Sequence, residues 1–181
     1  MTTKKATSPW DTASGLPDDF DAYITKAWFG PLYKGSGEMV TDSLGDPVIA
    51  CHWEVDSPDV DIDTPVAWSI GKHWKPNADG SEVTHEKGRD KFISTSIYGR
   101  LLDRLTQELK VDMAPHGVPS KATTWVGLGF HLAREKLSFP GGAERGIREQ
   151  VEHLMPKAFL GKAGAAQPAK ASRRKATPAA T

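Results

Sequence analysis

Between Thr64 and Tyr98 the sequence interleaves aromatic and cationic side chains: Trp68, Trp74, Phe92 and Tyr98 fall among Lys72, Lys75, Lys87, Arg89 and Lys91. A flat ring stacks on any base and a mobile cation neutralises any phosphate, so this mixture suits the holding of a nucleic-acid single strand without strong sequence preference. The candidate nucleic-acid contacts are Trp68, Lys72, Trp74, Lys75, Lys87, Arg89, Lys91 and Tyr98. Trp68, Trp74 and Tyr98 would form the stacking platform, at about 1–3 kcal/mol per stacked base. The five cations would make affinity salt-dependent through counterion release. The same residues admit a plainer reading, in which the rings fill a core and the cations are solvated loop. Trp125 and Phe130, beside glycines, are expected in the core.

Other chemistries find less support. Asp59, Asp61 and Asp63 begin like a calcium loop, but Thr64 stands where the turn needs Gly and Ile70 where the bidentate Glu belongs. The acidic run therefore reads as a solvated loop. The six His residues and Cys51 form neither C-x-x-C nor H-E-x-x-H, so no zinc site is legible. Cys51 and His52 are adjacent on an expected strand, point to opposite faces and cannot pair as nucleophile and base. Cys51 is expected as a buried thiol. Gly127 and Gly129 complete neither phosphate-loop pattern, and no nucleotide cofactor is implied. No carboxylate set accompanies a Lys in a nuclease-like motif, so a non-enzymatic protein is expected.

The elements that must position these residues are mostly strands. Phe20–Phe29, Val48–Val55 and Pro65–Ile70 read as three strands, followed by a long loop from Gly71 to about Lys91. Ser94–Leu109 carries Ile97, Leu101, Leu102, Leu105 and Leu109 at helical spacing, with Ser94, Thr95 or Ser96 as the N-cap. Gly99 weakens that helix by about 1 kcal/mol relative to Ala. Thr123–Leu132 reads as a strand, and Val151–Leu160 as a strand or a short helix from near Glu144, Pro156 opposing a central helix. Three strands, one helix and two strands is the order of an OB-fold, so the expected class is mainly β (α+β): an OB-like small β-barrel with one amphipathic helix.

Length and composition agree with one such domain. The 181 residues are 38% hydrophobic and 25% charged, enough for one core, expected over residues 18–160. Residues 1–17, rich in Thr, Ser, Ala, Pro and Lys around Trp10, are expected as a disordered leader, and residues 161–181, without a large apolar side chain, as a basic Ala/Pro/Lys-rich disordered tail. The net charge of zero is unevenly spread: from Lys157 onward there are six basic residues and no acidic one, leaving 17 basic against 23 acidic before it. A single cysteine, no apolar run of membrane length and no secretory signal lead to the expectation of a cytoplasmic protein.

The strings WSIGKHW, KFISTSIYGRLLDRL, TTWVGLGFHLAREK and LMPKAFLG together resemble a family of small proteins encoded by tailed bacteriophages of actinobacteria. The resemblance spans about residues 20–161. It implies an OB-fold single-stranded-DNA-binding protein of phage replication and recombination, working in the host cytoplasm with single-stranded DNA and replication or recombination proteins as partners. Single-strand binders of bacteria generally end in an acidic tail, whereas this chain ends in RRKATPAAT. The alternative from another class is a virion structural or assembly protein, or a host-interaction protein, without nucleic-acid binding.

Overall fold

The computed structural model describes residues 16–140 and 148–164. Most of the leader expected over 1–17 and of the tail expected over 161–181 lies outside the described residues, as does the start of a helix near Glu144. The fold is mainly β, with two antiparallel sheets. A five-stranded sheet contains β1 (Asp19–Pro31), β2 (Ile49–Asp56), β3 (Val66–Ser69), β6 (Leu128–Pro140) and β7 (Arg148–Lys162). A separate hairpin joins β4 (Trp74–Pro76) to β5 (Val83–His85). That hairpin lies inside the stretch expected as loop: three-residue strands are too short to show an alternation.

The large sheet has the order β3-β2-β1-β6-β7. β1 serves two partners, β6 along its first half and β2 along its second. Between the halves the register slips at Thr25, and the core positions move from Phe20, Ala22 and Ile24 to Phe29. β2 and β3 alternate cleanly, sending Cys51, Trp53, Val55, Val66 and Trp68 inward. The Trp68 indole N–H, on β3, donates to the Leu154 carbonyl, on β7, at 2.9 Å, but these two edge strands share no backbone ladder among the described residues, so the sheet is not closed into the expected barrel. The last segment is strand rather than helix, and Pro156 is tolerated because β7 is an edge and the register slips beside it.

The helix is shorter than its apolar pattern. α1 (Ile97–Asp103) is capped by Ser96, whose hydroxyl accepts the Gly99 N–H at 3.0 Å. It continues into a π-helical turn over Arg104–Glu108. Ile97, Tyr98, Leu101 and Leu105 pack against Trp53, Trp68, Trp125 and Phe130 in the main core. Thr123 and Thr124, expected in a strand, belong to a 3-10 turn over Ala122–Thr124, and β6 starts only at Leu128. A smaller apolar cluster of Leu32, Val40, Ala50 and Ala67 pins the 32–48 excursion to the outer face of the sheet. No helix among the described residues is long and apolar enough to cross a membrane.

Candidate nucleic-acid interface

The eight candidate contacts separate by chemistry, the rings going in and the cations staying out. Trp68 and Tyr98 are 0% exposed and Trp74 6%. This corrects the expectation of an exposed stacking platform built from these three rings, because none of them presents a face to a base. Strand alternation turns Trp68 inward opposite Cys51. Tyr98 lies on the buried stripe of α1, and its hydroxyl donates to the Pro119 carbonyl at 2.7 Å. Trp74 stacks on Phe92, with ring centres 4.1 Å apart, and meets His85 edge-on. Half-buried Phe92 links Trp74 to Tyr98, which meets Trp125 edge-on, so ring contacts run from the hairpin into the core beneath the surface.

That surface is a cleft of about 600 Å³. Ile49 and Ser69 on the sheet, Ile97 on α1, and Phe139 and Val151 at the far end of the β6–β7 hairpin line it. The 32–48 excursion contributes Asp42 and Leu44, and the segment after β3 contributes Lys72 and Lys75. Thus two of the five candidate cations, with the edge of Trp74, converge on one cavity. Lys87, Arg89 and Lys91 are exposed on the connection after β5 and make no ion pair among the described residues.

Both cleft lysines are paired. Lys72 lies 3.8 Å from Asp42, and Lys75 lies 2.7 Å from Glu86, which also meets His73 at 3.2 Å. The Lys75 ammonium holds the Glu86 carboxyl below the usual range, with His73 adding to the effect, and Glu86 in turn raises Lys75. Asp42 is lowered chiefly by the Leu44 N–H, assisted by the Asp46 N–H and Lys72. Its Oδ1 accepts those two backbone groups at 2.8 and 3.1 Å. Asp42 and Glu86, which come from different elements, have no sequence spacing that would have marked them as partners of these lysines.

Cys51 is sealed in the core, and burial pushes its thiol up to about 12, too high for a neutral-pH nucleophile. Among the described residues no group of three His, Cys, Asp or Glu side chains is placed to hold a metal ion. No protein family, curated protein or solved structure matches the chain.

Proposed function

We propose that the chain is an OB-like, non-enzymatic protein that binds single-stranded DNA during phage replication or recombination in the host cytoplasm. The observation that carries this reading is the position of the cleft. It opens between the β1–β2 connection and the far end of the β6–β7 hairpin, over the end of β3, with two lysines on its rim. In an OB-like barrel those are the connections and the face that take oligonucleotides. The strand order and the helix between β3 and β6 support the same reading, as does the indole bond that brings the two sheet edges together. The β4–β5 hairpin is then an insertion that carries Lys75 to the rim.

Binding on this account leans on phosphate neutralisation. Lys72 and Lys75 side chains are 60% and 71% exposed, and ion pairs at such positions contribute about 0–1 kcal/mol, so exchange of a carboxylate for a phosphate costs little. The test is anisotropy of a labelled oligo-dT, repeated at raised salt and against duplex DNA of equal length. Saturable binding that weakens with salt, prefers the single strand and falls about tenfold or more in a Lys72→Glu, Lys75→Glu double variant is expected. Equal binding to duplex, or an unaltered double variant, sinks the proposal.

The buried rings and paired lysines favour a second reading, a protein-docking role in assembly or host interaction. Leu44, 78% exposed at the cleft mouth, would be its anchor. Absence of any shift with DNA would leave this one standing.

A further inference from the structure

A second groove, of about 740 Å³, lies on the outer face of the first three strands. Its floor is Trp28, His52 and Ala67, which the register sets side by side across β1, β2 and β3. One wall is the start of the 32–48 excursion, with Tyr33 and Lys34. The other is the 77–80 turn, tied to β1 by the Phe29 N–H donating to the Gly80 carbonyl at 2.8 Å. Gly80 has φ +72°, and a Cβ there would stand 2.6 Å from the Phe29 carbonyl oxygen, so glycine is what lets this wall close on the strand.

The floor holds an indole already oriented. Trp28 and His52 lie with ring planes 5° apart and centres 5.0 Å apart. A ring nitrogen of His52 lies 3.3 Å from the Gly30 carbonyl. Burial lowers the His52 imidazole below its ordinary value, so at neutral pH it supports the indole as a flat, uncharged ring. Lys26 places its ammonium 5.2 Å from the centre of the Trp28 ring and is itself 65% exposed, 3.7 Å from Glu54. Lys34 stands at the opposite wall, paired with Glu38 at 2.9 Å. Surface pairs of this kind yield readily to a phosphate.

We propose that this groove is a base-stacking subsite for an unpaired nucleotide, with Trp28 as the stacking ring and Lys26 and Lys34 as its phosphate contacts. The inference rests on the single-strand reading and extends it. The 32–48 excursion walls both cavities, Tyr33 on one side and Leu44 on the other, and Pro76 lines both. A strand seated in the cleft therefore continues round the excursion and stacks a base on Trp28 in place of the exposed Lys26 ammonium, which moves to a phosphate. Lys34 on the excursion wall and Lys26 over the floor ring set two cations against the one carboxylate of the lining, Asp79, which favours a nucleotide over the proline-containing peptide that a Trp–Tyr groove can also take.

The test follows the Trp28 indole N–H by NMR in the full chain, assigned with Trp28→Phe, during titration with oligo-dT, dTMP and a proline-rich peptide. Anisotropy of labelled oligo-dT runs in parallel. A shift of the Trp28 signal with oligo-dT, about tenfold weaker binding by Trp28→Ala and less than threefold by Trp28→Phe are expected. Lys26→Ala, at an exposed position outside the core, should weaken binding about two- to threefold. Oligo-dT binding with an unmoved Trp28 signal and unaltered variants overturns the subsite and leaves the cleft reading intact. A dTMP-induced shift without oligo-dT binding supports the subsite and removes the single-strand reading. A signal moved by neither nucleotide, or by the peptide alone, overturns the subsite.

Discussion

Gly99 shows how packing reverses a rule of residue type. Helix propensity alone makes Gly99→Ala stabilising by about 1 kcal/mol. In the fold a Cβ at this position would lie 2.0 Å from the Ile93 carbonyl oxygen, backbone that cannot move without lifting the start of α1. The substitution should destabilise the protein by about 1–3 kcal/mol, read as a lower urea midpoint. A raised midpoint would contradict this. Glu86 makes the reverse case, a residue whose loss should improve function. Glu86→Gln leaves the Lys75 charge without its partner, and oligo-dT affinity at low salt should rise about two- to fivefold; a fall would show Glu86 shaping the cleft rather than occupying its cation. The sign of the pH dependence follows from the same pair. A carboxyl held low in the folded state adds stability that is present above its ordinary range and is lost as pH falls through the lowered value. The Lys75–Glu86 contact should thus persist through the usual Glu range near about 4.3 and open only below it. A carboxyl-detected NMR titration placing Glu86 at or above the ordinary value would refute that.

At the scale of elements, the first three strands of the large sheet were all legible, but the facing of the one with an interruption was not. Cys51, Trp53 and Val55 declare β2, and Val66 and Trp68 declare β3, because one face is apolar throughout. β1 conceals its outer face because the slip at Thr25 changes which residues point inward. Counted in steps of two from Phe20, Trp28 falls on the buried face; the extra residue turns it outward, and so it escaped notice as a surface ring. Of the candidate site, the cations were legible as exposed charge, but the rings beside them were not, since Trp68 and Tyr98 need tertiary packing to be told from a surface platform. Asp42 and Glu86 reach Lys72 and Lys75 from other elements, and no local pattern predicts such a meeting. The Trp68 hydrogen bond from β3 to β7 is also a product of long-range packing. Trp68→Phe keeps a ring in the core but removes the indole donor from the Leu154 carbonyl, which retains the His153 ring nitrogen at 3.1 Å. A loss of about 1–3 kcal/mol in chemical denaturation is expected; a loss near zero would show that the edges hold together by apolar contact alone.

Across the whole molecule, charge ties the layers together at a place that lines neither cavity. Glu135 on β6 takes Arg104 from the π-helical turn and Lys157 from β7, so three elements share one carboxylate. Burial pushes that carboxyl up, but Lys157 and Arg104 outweigh burial and hold it below its usual range. The indole N–H groups of Trp53 and Trp125 find no hydrogen-bond acceptor among the described residues, which leaves the centre of the molecule to close packing of rings. Trp53 and Trp68 lie 4.2 Å apart and tilted by 55°, near enough for their excited states to couple. The chain has six tryptophans, and four of them, Trp53, Trp68, Trp74 and Trp125, are buried. The intrinsic emission of this protein is therefore mostly a gauge of core integrity, blue-shifted and shielded from quenchers in solution. The near-ultraviolet circular dichroism of the coupled pair should collapse on unfolding, while among the described indoles an oligonucleotide on the outer face of the sheet would dim Trp28 and spare the four in the core.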